Sequence, residues 1–437
     1  MRKLGFQLYR TLLVGGLLAM LLPGAANAQP PLWKRQLGTT ADDLIQDVAT
    51  DTSGSVYVAG STGGSLAAVN QGFTDAWVTK FNSTGKIQWT RQIGTVGFDF
   101  AFGVATDIDG NVYICGATSD DTINVPQASI GAWVAKFNPT GKLLWKRQLG
   151  TSGSEYANGV VVDPTGNVYV SASINRTLVG EGETTRRGAL VAKFNPTGKL
   201  IWKQQLAPTV EDLSNDIAVD ATGNIYLSGF KDNFLNPSNF RGDDAWVAKY
   251  NPSGKLLWQQ QLGTSQRDTA EGVIVDTSGN AYISGSTGDA LAGANQGIID
   301  AWLAKYSPAG KLIWKQQLGS SKVDEARSVT LDTFGNAYIS GYSDSVIAGA
   351  NQGRSDAWLA KYSPAGKLVW KQQLGSSGSD YSNSVATDTF GSVYIAGYTY
   401  GALFGVNQGE RDAWVVKYPQ TPPEKLNLRI NIPSAQP

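Results

Sequence analysis

The chain has 437 residues, with 36 basic and 36 acidic side chains, a single Cys and no His. So even a charge balance leaves no electrostatic footprint for nucleic acid or an anionic membrane. The missing His excludes Ser-His-Asp triads and His-ligated metals, and the single Cys excludes an internal disulfide and thiolate clusters.

Arg2, Lys3 and Arg10 precede an apolar run at 11–22 and then Ala26-Asn27-Ala28. This is the pattern of a secretory signal peptide at residues 1–28, with cleavage expected before Gln29. A run of twelve apolar residues is too short to span a bilayer. The mature chain is therefore expected to be secreted or periplasmic, with no integral membrane segment. It keeps 33 basic and 36 acidic residues.

Residues 29–418 read as seven copies of one unit. Its opening Trp recurs as Trp33, Trp89, Trp145, Trp202, Trp258, Trp314 and Trp370, at steps of 56 residues and one of 57. A second series, 44 residues after each opener, holds Trp77, Trp133, Trp246, Trp302, Trp358 and Trp414, with Leu190 in the third copy one residue later. Each unit gives four strand signals, such as 143–150 (LLWKRQLG), 159–163 (GVVVD), 167–172 (NVYVSA) and, in the preceding copy, 132–137 (AWVAKF). Turns rich in Pro, Gly, Asn and Asp separate them. Aliphatics such as Val112 and Ile114 fill one strand face, and the recurring Tyr57, Tyr113, Tyr169, Tyr226, Tyr282, Tyr338 and Tyr394 the other. Sheets apolar on both sides must be covered on both. The expected fold is all-β: a seven-bladed β-propeller of four antiparallel strands per blade. The seventh unit lacks a Gly-Lys-x-x-Trp strand after Tyr418, and 31–37 is an orphan copy of it. The N-terminal strand is thus expected to complete the last blade, ahead of the rival segment 426–432. Residues 419–437 read as a Pro-rich tail.

The motif D-x-x-G-N-x-Y-[VI]-[AS]-G followed by D-A-W-[VL]-A-K-[YF]-[NS]-P-x-G-K-L-x-W resembles the bacterial SBBP seven-bladed β-propeller repeat, across residues 31–418. The resemblance implies the fold and an exported location; it implies no single activity.

Three polar series recur. Ten residues after each opener stand Asp43, Asp99, Glu155, Asp212, Asp268, Asp324 and Asp380. They are either a carboxylate ring able to hold calcium or loop anchors that accept backbone N–H groups, and the second reading is favoured. Eighteen residues after it stand turn-capping Asp51, Asp107, Asp163, Asp220, Asp276, Asp332 and Asp388; Lys80, Lys136, Lys193, Lys249, Lys305, Lys361 and Lys417 close the pattern. Binding sites are expected where blades differ. The loops of blades 2, 3 and 4 depart from the Asn-Gln-Gly pattern shared by blades 1, 5, 6 and 7, and Arg176, Glu181, Arg186, Arg187, Lys231, Phe234 and Arg241 are the ligand-binding candidates there. The function expected is a non-catalytic binding or scaffolding module for an envelope protein or glycan, without a required cofactor. The alternative is a carboxylate-dependent or calcium-assisted hydrolase, for which Glu155 and Asp212 on adjacent blades are the candidate pair.

Overall fold

The computed structural model describes residues 30–119, 130–149, 154–174, 188–206, 212–231 and 243–420. The expected signal peptide and segment 426–432 lie outside these residues. Among the described residues there are twenty-eight strands in seven four-stranded antiparallel sheets. No helix there is long and apolar enough to cross a membrane.

Blade 1 runs outward from an inner strand, Asp43–Thr50, through Val56–Thr62 and Asp75–Phe81 to an outer strand, Ile87–Ile93. The inner strands of neighbouring blades touch all the way round, and Asp380–Thr387 of blade 7 meets Asp43–Thr50 of blade 1. The ring is closed. Its seam lies where the sequence places it: Trp33–Leu37 is the outer strand of blade 7, with Trp33 opposite Lys417 and Gln36 opposite Trp414.

Seven hydrophobic cores lie between blades rather than within one. Val112 and Ile114 face blade 1, where they meet Tyr57, Ala59 and Val78; the alternate Tyr113 and Cys115 face Val168 and Val170 of blade 3. The period of two along one strand therefore feeds two cores. The seam core joins Trp33, Tyr394 and Val415 of blade 7 to Val48, Val56 and Phe81 of blade 1.

A clasp repeats at the outer edge. The opening Trp donates through Nε1 to a turn carbonyl of the next blade, Trp33 to Ser83 at 3.1 Å, Trp89 to Pro139 at 3.0 Å and Trp258 to Pro308 at 2.9 Å. The ring lies on the turn's Gly. Gly310 has φ +79° and a Cβ there would stand 2.7 Å from Trp258 Cδ2, so both the backbone conformation and the space favour Gly.

Candidate functional site: the mouth of the central channel

Each inner strand carries a β-bulge at one place, thirteen residues after the opener. The register skips Gln46, Phe102, Asn158, Asn215, Glu271, Arg327 and Asn383. A bulge leaves one residue unpaired and re-aims its side chain. Here the seven unpaired residues converge on the axis and line a cavity of about 350 Å³. Three of them are blade staples: Asn158, Asn215 and Asn383 donate to Ser214, Ala270 and Ile45 carbonyls of the next blade at 2.6, 3.0 and 2.8 Å. The other four differ in kind, which makes the channel asymmetric. Phe102 faces it from blade 2, Glu271 and Arg327 from blades 5 and 6. Burial pushes the Glu271 carboxyl up, against the pull of Arg327. Arg327 also pairs with Glu325 at 3.0 Å.

Beside the bulges, Asp47 and Asp216 hold neighbouring blades. Asp47 accepts from Val104 N at 2.7 Å and Ser384 Oγ at 2.6 Å; Asp216 accepts from Val273 N at 2.9 Å. Burial pushes these carboxyls up to about 6 and about 7.

The ten-residue carboxylates open the inner strands, so they stand at the mouth, but they are turned into the fold. Asp43, Asp268, Asp324 and Asp380 are fully buried, and Asp99 and Glu155 nearly so. Thr39 donates to Asp43 through N and Oγ1 at 2.5 and 2.8 Å, Thr264 does the same to Asp268, and Ser320 to Asp324. Each carboxylate thereby ties down the connection entering its blade. Burial pushes Asp43, Asp268, Asp324 and Asp380 up despite these bonds. Among the described residues no three acidic or sulfur groups come close enough to hold a metal ion. Asp212 opens its strand next to the Glu155 blade, and its side chain lies outside the described residues.

The eighteen-residue Asp, the recurring Tyr and the recurring Lys form one cluster at the opposite end of each blade. Asp51 accepts from Ser53 and Ser55 N at 2.9 Å and from Tyr57 Oη at 2.9 Å, while Lys80 Nζ lies 3.7 Å away and 5.0 Å from the Tyr57 ring. Asp388, Tyr394 and Lys417 repeat the set in blade 7. Burial alone would raise the Asp51 carboxyl; the hydrogen bonds and Lys80 outweigh it and hold it below its usual value. This end of the molecule is built alike in every blade.

The mouth is not. Of seventeen tyrosines, seven occupy the recurring position, four (Tyr250, Tyr306, Tyr362, Tyr418) end third strands and Tyr9 precedes the propeller. Of the five left over, Tyr342, Tyr381, Tyr398 and Tyr400 meet between blades 6 and 7. Tyr381 lies edge-on to Tyr342 at 4.8 Å and stacks on Tyr398 at 4.9 Å, and Tyr400 is 6.1 Å from Tyr398. Tyr342, Tyr381 and Tyr400 line a cavity of about 860 Å³ together with Lys322, Asp344, Asn351, Arg354 and Ser379. Between blades 1 and 2 a second aromatic group descends the wall. Phe73 stacks on Phe98 at 4.9 Å, and Phe98, Phe100 and Phe102 follow at 6.3 and 5.8 Å with nearly parallel rings. Phe73 and Phe98 are exposed, at 60% and 38%.

Of the loop candidates, Lys231 ends the second strand of blade 4, half-buried. Arg176, Glu181, Arg186, Arg187, Phe234 and Arg241 lie outside the described residues. Sequence reasoning passed over the tyrosine cavity and the bulge ring. Aromatics in excess of the repeat were the available signal for the first; a position that changes its residue type between copies of an otherwise regular strand was the signal for the second.

Six segments, residues 32–67, 88–122, 144–177, 257–290, 313–347 and 369–405, match the family described as SBBP, Beta-propeller repeat. The chain is similar to an uncharacterized WD repeat-containing protein of Acanthamoeba polyphaga mimivirus, 21% identical over 89% of this chain and 38% of that protein. It is also similar to the regulatory protein FlaEY of Caulobacter vibrioides, 25% identical over 44% of this chain and 22% of that protein. The chain thus spans less than half the length of these curated relatives. Among solved structures, the polysaccharide lyase Uly1 aligns with a TM-score of 0.49 at 12% identity, covering 88% of this chain and 90% of that one. Sqt1 from Chaetomium thermophilum aligns at 0.47 and 9% identity, covering 90% and 99%.

Proposed function

The chain belongs to the SBBP β-propeller repeat family, and from that premise we propose that it is an exported, non-catalytic binding propeller that takes a glycan at its channel mouth. One observation carries the reading: four of the five tyrosines left over from the repeat gather at one place on the face where the blades differ. Tyr offers a flat apolar face and a hydroxyl on one stiff side chain, which suits a ligand with an apolar ring face and hydroxyl edges. The cavity adds Asn351 and Ser379, both able to hydrogen-bond hydroxyls.

The test is a titration of the purified propeller with a panel of polysaccharides, with and without calcium, by calorimetry and affinity electrophoresis. Replacing Tyr381 or Tyr400 by Ala should weaken binding about tenfold, the equivalent of about 1.4 kcal/mol. Phe334, exposed in a turn at the opposite end, is the control, and its change to Ala should leave affinity unaltered. Turnover of a polysaccharide, or indifference to both tyrosine changes, would defeat the reading.

A further inference from the structure

The geometry points to an anionic sugar, one carrying a carboxylate or sulfate ester, as the ligand of the cavity between blades 6 and 7, with Lys322 and Arg354 receiving its charge. This rests on the glycan reading above and names the class of glycan.

Neither cation is part of the repeat: Lys322 stands in one copy, and Arg354 has a counterpart by register in Arg186 of blade 3. The position of Lys322, eight residues after the opener, holds Ala41, Gly97, Gln266 and Gly378 in other described blades. The position of Arg354 holds Phe73, Ile298 and Glu410 in blades 1, 5 and 7. Packing of the repeat therefore requires neither. Both are exposed, both line the cavity, and among the described residues neither has an ion-pair partner. The neighbouring charges are already engaged: Arg327 with Glu325, and Arg411 with Asp42 across the seam.

The backbone beneath them is fixed. Ile298 N donates to the Lys322 carbonyl at 2.9 Å, and Asp380 N to the Ser355 carbonyl at 2.7 Å. Asp344, the acid in the cavity lining, accepts from Ser355 Oγ at 2.7 Å. Two cations against one acid leave the cavity lining with an excess positive charge beside three tyrosine rings. Arg presents a planar fork that matches a carboxylate or sulfate, and Lys a mobile point charge. A neutral sugar could accept hydrogen bonds from both but would leave their charge unmatched.

The experiment compares polygalacturonate, a sulfated galactan, a neutral β-glucan and polyglutamate as ligands of the intact propeller, against Lys322→Gln/Arg354→Gln. The side chains are exposed, and thermal unfolding of the double variant should match the parent. The inference expects one or both acidic polysaccharides to bind about tenfold or more better than the glucan, with that advantage lost in the double variant. It also expects weakening as salt rises from about 0.05 to about 0.5 M. The carboxylate and sulfate arms separate the two sources of charge. Equal binding of the glucan, unchanged in the double variant, overturns the charge selectivity and leaves the glycan reading standing. Polyglutamate bound as tightly as the acidic polysaccharides overturns the sugar. Failure of every polysaccharide to bind the parent overturns both.

Discussion

Replacing Trp33 by Ala attacks the seam of the ring. Trp33 is 9% exposed, with the Phe81 ring of blade 1 at 6.0 Å and the Tyr394 ring of blade 7 at 5.9 Å. Its indole N–H holds the Ser83 carbonyl. Truncating a buried aromatic of this kind costs about 3–5 kcal/mol. Trp145 is a matched reference. It is also 9% exposed, packs on Tyr113 and Phe194 at 6.0 and 6.4 Å, and donates to Pro196 O. The two changes should cost similar amounts, but the consequences should differ. The outer strand Leu143–Gln148 is tied to its neighbour through the turn at 138–142, whereas Trp33–Leu37 is held to blade 7 by non-covalent contacts: strand pairing, packing and the Gln36 hydrogen bonds to Asp412 and Phe404. A loss of about 3–5 kcal/mol then becomes local opening accelerated by about two to three and a half orders of magnitude. Hydrogen exchange read by mass spectrometry on peptides covering Trp33–Leu37 and Asp412–Tyr418 is the assay. Both should exchange faster in Trp33→Ala, and the corresponding strands of blade 2 should change far less in Trp145→Ala. Unaltered protection of Asp412–Tyr418 in the first variant would refute the reasoning.

Further outcomes follow from the same contacts. Gly310→Ala, which meets both a φ of +79° and the Trp258 ring at 2.7 Å, should lose about 1–3 kcal/mol in chemical denaturation. Gly349→Ala, with φ +98° and open space around it, should lose less. The Asp51 carboxyl sits below its usual value in the fold, so it stabilises above its unfolded pKa and that contribution fades as pH falls through the lower folded value. Asp51→Asn should therefore flatten the acid limb of a stability–pH curve below about pH 4. Asp216 has the opposite sign: its folded value is raised from 3.8 to about 7, so its ionisation opposes folding progressively across that interval. Measured by denaturation at both pH values, Asp216→Asn should gain on the parent between about pH 4 and about pH 8.

How the fold came to be legible, and the mouth less so, has a physical cause. A blade needs the same Trp, Tyr and Gly at the same places seven times, so packing prints itself on the sequence as a period. The seam was readable because Trp33 and its neighbours formed one strand too many at one end and one too few at the other. The Asp51, Tyr57 and Lys80 series were visible one by one. Their union was not, since it requires the third strand to return beside the first turn. The bulge residues Phe102, Glu271 and Arg327 break the strand's alternation by a backbone irregularity that no single residue type marks; only the variability of the position hints at it. Tyr342 and Tyr398 share one repeat position and Tyr381 shares another with Tyr156, but none of these positions, nor that of Tyr400, holds Tyr in all seven copies, because a ligand site on a ring occupies one sector. Their proximity comes from two strand positions and one loop position on two blades, and only the fold brings them together.

The most direct measurement is a footprint of the bound propeller. Hydrogen exchange and tyrosine-directed labelling at saturating polysaccharide should protect Lys322, Tyr342, Tyr381 and 398–400 and leave the far turns at 51–55 and 107–111 unchanged. Protection confined to those turns, or spread evenly over all seven blades, would contradict a mouth built for ligand.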